Sequence, residues 1–245
     1  MRTVTDEELG IILKKHLLWL DGDKNGVRAD LSEADLRGRR LEMVNLSRAN
    51  LAGANFENAW LTNSCLYGAN LRDANLARTI LCNSKLTSSF LKGADLTCAN
   101  LRKATVTNAD LRGANLFCAN VSDTKGMESV VVDISTKFYF LQCPQEGSFI
   151  GYKKANGCIV KLEICEDAMR SSATSRKCRC SKAKVLGISF MYDGHQMMSV
   201  VSDYDPEFVY TIGKTVEVKN FDKNRWNECA PGIHFFMTKD EAFRY

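Results

Sequence analysis

Leucine returns every fifth residue from Leu31 to Leu116, and this period limits what nearly half of the chain can fold into. Nineteen consecutive pentads run in phase from Ala29 to Asp123, sixteen centred on Leu and the others on Phe56, Val106 and Val121. Two residues before each centre the side chain is small: thirteen pentads have Ala, Ser64, Thr79, Ser84 and Ser89 serve four more, and only Arg39 and Val44 depart. Neither the 3.6 period of a helix nor the alternation of a flat strand brings a large and a small residue to one side at this spacing. A short extended piece with a corner every five residues does.

Copies such as Ala34-Asp35-Leu36, Ala49-Asn50-Leu51, Ala69-Asn70-Leu71, Ala94-Asp95-Leu96 and Ala114-Asn115-Leu116 resemble the pentapeptide-repeat family. The resemblance implies a right-handed, four-sided (quadrilateral) β-helix with one pentad per side and twenty residues per coil. Leu and Ala would face in and the other three positions out. At about 4.8 Å per coil, the stack would rise roughly 23 Å. The longer leucine spacing of a leucine-rich repeat is absent.

The predicted organisation is mainly β in three parts: a helical cap and turn over 1–28, the β-helix over 29–123, and an α+β domain over 129–245. In the first part Thr5 and Glu8 form a capping-box pattern, and Leu9, Ile12, Leu13, Leu17 and Leu20 share a helical face that would cover the first coil. His16 is expected at the border of that face, without a chemical role. Asp21, Asp23, Asn25 and Gly26 imitate half of a calcium loop, but Ser32 stands where a bidentate Glu is needed, so the segment reads as a turn. No apolar run reaches membrane-spanning length, and the N-terminus carries acids where a signal peptide carries bases. Ten cysteines at uneven spacing in a chain of 245 residues read as reduced thiols in the cytoplasm, Cys98 and Cys118 included.

Stacking at twenty residues sorts the outward positions into columns. One carries Ser32, Ala52, Arg72, Lys92 and Arg112; another carries Arg40, Trp60, Ile80, Asn100 and Asn120. Large apolar groups facing out of a β-helix predict something that docks there, either another protein or the chain's own C-terminal part. We take Trp60, Ile80, Arg72, Lys92 and Arg112 as the interaction surface. The pentapeptide-repeat family also includes proteins that protect DNA gyrase by imitating DNA. Residues 29–123 carry nine acids against eleven bases, a net of +2 (11 − 9), which is opposite to the charge of a polyanion.

Beyond Val121 the pattern breaks, since the next centre would be Gly126. Phe149–Ala155 and Cys158–Ile164 alternate around Asn156-Gly157, a hairpin signal, and Val185–Met191, Phe208–Val218 and Ile233–Met237 read as strands before a short helix from Lys239. Lys177-Cys178-Arg179, Lys184-Val185-Leu186, Tyr210, Gly213-Lys214-Thr215-Val216, Trp226-Asn227-Glu228-Cys229 and Gly232-Ile233-His234-Phe235-Phe236 resemble an uncharacterised domain attached to pentapeptide repeats in bacterial and phage proteins. That resemblance brings no known activity.

Three chemical readings apply to this part. Arg170, Arg176, Lys177, Arg179, Lys182 and Lys184 lie in a run without acids that could bind an anion, phosphate or nucleic acid, against the commoner solvated loop. Cys178, Cys180, Cys229 and His234 are zinc-competent but poorly spaced, so no metal is expected. Gly232–Phe236 with Thr238, Ala242 and Tyr245 is similar to a strand-helix segment of ADP-ribosyltransferase-like, nucleotide-binding folds. The strand with the catalytic Glu that those enzymes need does not follow, and Glu228 could substitute only in an unfamiliar arrangement. With no phosphate-cradling glycine loop or Ser-His-Asp set, no catalytic residue and no cofactor are expected. The sequence reads as a non-catalytic interaction protein with a protein partner, a host protein if the source is a phage, and no membrane contact.

Overall fold

The computed structural model describes residues 1–245 and divides into two compact units, 1–139 and 140–245. In the first unit β1 (Arg2–Thr3) precedes α1 (Asp6–Leu20), whose first turn is closed by a complete Thr5–Glu8 capping box. β1 pairs in parallel with β2 (Ala34–Asp35), occupying the place that a preceding coil would take. His16 is fully buried, a departure from its expected border position, and its Nδ1 accepts the Ala29 amide at 3.0 Å. The Asp21–Gly26 segment is a turn in which Asn25 N–H donates to Asp23 Oδ1 at 2.7 Å.

From Asp30↔Asn50 through Asn100↔Asn120 to Thr105↔Lys125 the successive bridges are parallel and join residues twenty apart, Trp60↔Ile80 among them. The leucine centres are buried throughout, and so are the small residues two before them apart from the departures at Arg39 and Val44. Where Ala is replaced by a hydroxyl, the group is satisfied internally: Ser64, Ser84 and Ser89 donate to the carbonyls of Leu61, Leu81 and Leu86, each at 2.7 Å.

The pentad consensus follows from satisfying all five of its amides. Around Leu31, the centre amide donates to Asn50 O at 2.8 Å and the Glu33 amide to Ala52 O at 2.8 Å, both in the next coil. The Asn50 amide returns to Ala29 O at 2.9 Å, and the Ala34 amide closes the corner on Leu31 O at 3.2 Å. Only the amide after the centre has no main-chain acceptor, and Asp30 Oδ1 takes it from Ser32 at 3.0 Å. Asn55, Asn75, Asp95, Asn100 and Asn120 do the same for the residue two ahead, which is the physical reason for Asn or Asp at that position.

Each corner also needs a left-handed residue two after the centre. Glu33, Asn58, Asp73, Cys98 and Asp123 have φ of 55, 58, 56, 56 and 57°, and Gly38, Gly53, Gly68, Gly93 and Gly113 occupy the same position in other pentads.

The ladder continues past Asp123 with a changing step. Thr105 bridges Lys125 at twenty residues, Asp110 bridges Val131 at twenty-one, and Asn115 bridges Lys137 at twenty-two. Gly126 (φ +84°) is buried but has no side chain to fill the core, and Met127 next to it is buried as well, so the residue after the missing centre supplies the apolar side chain. The expected start of the second domain at 129 thus falls inside residues that still pair with the coils.

The second unit holds β3 (Phe149–Ala155) and β4 (Cys158–Ile164), joined by Asn156 (φ 41°) and Gly157 (φ 73°) in the predicted hairpin. It continues with β5 (Arg170–Ser172), β6 (Cys178–Cys180), β7 (Lys182–Phe190), β8 (Ser199–Val201), β9 (Val209–Thr211), β10 (Thr215–Glu217), β11 (Ile233–Phe235) and α2 (Lys239–Arg244). The sheets are ordered β10-β7-β4-β3, β11-β6-β5 and β8-β9, and a Tyr152–Phe236 bridge links the edges of the first two. Val160, Leu162, Ile164, Val185, Ile188, Tyr210, Ile233 and Phe235 fill the core. No helix is long and apolar enough to cross a membrane.

Candidate functional site

The outward columns form as the period requires. Trp60 bridges Arg40 on one side and Ile80 on the other, so three consecutive coils bring these side chains together. Trp60 is 42% exposed, and the Arg40 guanidinium lies 5.3 Å from its ring centroid, a cation–π contact that holds the indole against the coil surface. Ile80 is half-buried beside it.

Arg72, Lys92 and Arg112 also stack, since their carbonyls accept from Gly53, Asp73 and Gly93 of the preceding coils at 2.8, 2.9 and 2.9 Å. They are not three equivalent cations. Arg112 forms a two-pronged pair with Asp110 (2.9 and 2.7 Å), and this guanidinium holds the Asp110 carboxyl below the usual carboxylate range. Arg72 lies over the Phe90 ring at 4.8 Å and donates to Asn70 at 3.3 Å, and Lys92 is exposed. Phe90, itself 40% exposed, adds a second aromatic to the outer surface.

The basic run of the second unit is neither a solvated loop nor one anionic-ligand face. Three strands, β5, β6 and the start of β7, pass through it, and strand alternation turns its residues to opposite sides. Arg170 is spent on the carbonyls of Gly147 and Cys165 (2.5 and 2.9 Å), Arg176 pairs with Glu241 (2.8 Å), and Lys182 pairs with Asp167 (2.6 Å). Arg179 is buried, donating to the carbonyls of Pro231 and Asn224 at 2.9 and 3.1 Å beneath the Phe221 ring. Lys184 is exposed on β7. Lys177 alone points into a cleft, its Nζ 3.2 Å from the Tyr245 hydroxyl. The central strand Cys178-Arg179-Cys180 was hidden because a buried Arg breaks the apolar pattern by which strands are recognised.

The zinc-competent quartet does not assemble. His234 pairs opposite Arg179, so Cys178 and Cys180 present their thiols to the other face of the sheet, while Cys229 is exposed. Burial pushes the Cys180 thiol up to about 12, and the Cys143 thiol together with burial raises Cys178 further, the reverse of what a thiolate ligand requires. Glu228 is engaged by the Ser175 hydroxyl. His234 has its Nε2 3.1 Å from Ala230 O, and burial reinforced by Lys177, Lys153 and Arg179 holds it down at about 4.

Eight copies of the pattern described as Pentapeptide repeats match residues 29–66, 64–102 and 94–125. The chain belongs to the pentapeptide-repeat family. Residues 139–242 match a second family, described as a family of unknown function, DUF5758. Similar solved structures include a pentapeptide repeat protein of the Arabidopsis thaliana thylakoid lumen, 30% identical over 39% of this chain and 67% of that one, with a TM-score of 0.39. Another, from Nostoc PCC 7120, is 23% identical over 49% of this chain and 93% of that one, with a TM-score of 0.38. QnrB1, a plasmid-mediated fluoroquinolone resistance protein, is 20% identical over 43% and 61%, with a TM-score of 0.22. No curated protein matches this pentapeptide-repeat chain.

Proposed function

We propose that this pentapeptide-repeat protein is a non-catalytic scaffold that captures a protein partner on the outer face of a right-handed quadrilateral β-helix capped by α1. The observation that carries the reading is the exposed Trp60, pinned by Arg40 and extended by Ile80 into an apolar patch across consecutive coils. A preordered aromatic loses little entropy on binding, and such residues contribute most to interfaces. The Arg72, Lys92 and Arg112 column adds positive charge that would steer an acidic partner. With a phage source, that partner would be a host protein. Ten free thiols, five of them half-buried or buried in the second unit's strands and loops and two exposed on the coils, fit a reducing cytoplasm.

A DNA-mimic reading is disfavoured by the same net charge of +2 between Ala29 and Asp123 (11 − 9). The test is capture from lysate of the source cell with the full chain and two variants. Trp60→Ala should reduce capture of a specific protein at every salt concentration, whereas the Arg72→Ala, Arg112→Ala double variant should reduce it only at low salt, where screening is weak. Undiminished capture by Trp60→Ala would reject this surface, and gyrase protection by the intact protein would restore the DNA-mimic reading.

A further inference from the structure

Strand β3 carries an anomaly. Its side chains alternate, and Gly151, Lys153 and Ala155 take the buried positions, which places an ammonium where a strand of this sheet would hold an apolar group. Lys153 is 8% exposed and forms no ion pair. Its Nζ lies 5.9 Å from the centroid of the Tyr210 ring, and the nearby Asp203 carboxylate favours its charge but accepts the Asn156 amide at 2.7 Å and makes no direct ion pair with it. Burial of an ammonium that makes no direct ion pair destabilises a fold, so its presence points to a ligand that completes the charge.

Lys153 lines a cleft of about 860 Å³ within the second unit, a volume suited to a small organic molecule. Lys177, 7% exposed, lines the same cleft with the Tyr245 hydroxyl (3.2 Å) and the Cys229 sulfur (3.9 Å) beside its Nζ, and the Glu228 carboxylate adds a weaker, more distant attraction. His234, also in the wall, is neutral near pH 7, so it does not compete for an anion. Asp203, Asp205 and Glu217 also line the wall, yet neither lysine makes a salt bridge, and the acids that act on them, Asp203 and Glu228, do so at a distance. Phe208, Tyr210, Phe236 and Tyr245 supply apolar and aromatic wall.

We propose that this cleft binds a small organic phosphate, its anion held between the ammonium groups of Lys153 and Lys177 and its organic part laid against the aromatic wall. Two ammonium groups act as point charges for a doubly charged oxyanion, a role that suits Lys. This binding is independent of partner capture on the coils.

Calorimetric titration of the full chain in a phosphate-free buffer tests the proposal, with AMP and inorganic pyrophosphate as probes and adenosine as the phosphate-free control. Saturable binding of AMP or pyrophosphate, weakened about tenfold or more by Lys153→Met and by Lys177→Gln, is the expected result. Arg112→Ala should leave it unchanged. The thermal midpoint of Lys153→Met without probe should hold or rise, because the variant removes an uncompensated charge; this separates lost binding from lost folding. Should that variant fail to fold, Lys177→Gln carries the same reading. No saturable binding of either phosphate, binding that survives both lysine variants, or adenosine binding as tightly as AMP would each overturn the proposal.

Discussion

Arg39 sends its guanidinium out across the end of the first coil, Nη2 donating to the Val4 carbonyl at 2.7 Å and Nη1 meeting the Asp6 carboxylate. A guanidinium at an inward position must reach water or an acid, which would be expected to open the coil locally, and here it reaches Asp6. The backbone stays regular instead, with Trp60 N–H still bonded to Arg39 O at 2.9 Å. The first coil is covered by the N-terminal segment and not by another coil, so a long side chain can reach Val4 and Asp6 there without breaking the ladder. Arg39→Ala should therefore change stability by about 1 kcal/mol or less, while Ala54→Arg, inside the stack, should cost more than about 4 kcal/mol. Urea unfolding curves with equal losses would show that the end coil has no such tolerance.

Inward and outward positions should differ as sharply. Leu71 is fully buried, and Leu71→Lys should cost several kcal/mol, on the order of 4 or more, enough to unfold the coils. Its neighbour Arg72 contributes a cation–π contact and one long hydrogen bond, so Arg72→Ala should cost about 1 kcal/mol or less. Circular dichroism melts of the two variants provide the comparison; similar melting would contradict the assignment of faces.

The left-handed corners give a way to raise stability. Met43 holds φ of 58° and is 77% exposed, so it bears backbone strain without packing in return. Met43→Asn should stabilise by roughly 0.5–1 kcal/mol, since Asn tolerates this region. Gly93→Val should destabilise by more than that, both through its φ of 73° and because a Cβ would lie 2.1 Å from Asp73 Oδ1. A lower denaturation midpoint for Met43→Asn would show that strain does not limit the corner.

Acid should weaken the second unit through His234. Burial lowers its pKa from 6.5 to about 4, so the unfolded chain takes up the proton first as pH falls. The stabilisation is complete above pH 6.5 and is lost on the way down to about pH 4, up to roughly 3 kcal/mol. His234→Gln should flatten that part of the stability profile. Parallel profiles for the two proteins from pH 7 to 4 would remove His234 as the cause.

Thiol reactivity should divide by position. Cys98, Cys118 and Cys229 are exposed and should react promptly with an aromatic disulfide reagent in the native protein. Cys178 and Cys180 are buried with raised pKa values and should react only on unfolding. Mass mapping after brief labelling reads this out, and early modification of Cys180 would contradict the placement of β6 in the core.

The coils were legible because one residue type repeats at one spacing, and each inward Leu reports its own environment. The Asn156-Gly157 hairpin was legible for a similar reason: both residues meet a local backbone demand, positive φ. What escaped reading depends on contacts between residues far apart. Arg179 looks like surface until Pro231 and Asn224 bring carbonyls to its guanidinium from 52 and 45 residues away. One local signal does mark the cleft in the sequence: Lys153 breaks the inward set of the Phe149–Ala155 strand. Lys177, by contrast, shares its charge with five neighbours in the sequence that the sheets disperse, so the run as a whole gives no sign of which one enters the cleft.

The step between paired residues grows from twenty to twenty-one and then twenty-two over the final bridges. A further turn laid on this edge would have to match sides of unequal length, so its inward residues would fall out of line with those beneath them. The inserted residues thus act as a stop codon written in geometry: they fix how many layers the wall can have. Pentads added between Trp60 and Ile80 should keep the two on one face of the stack only in sets of four, because any other number would turn them onto different sides.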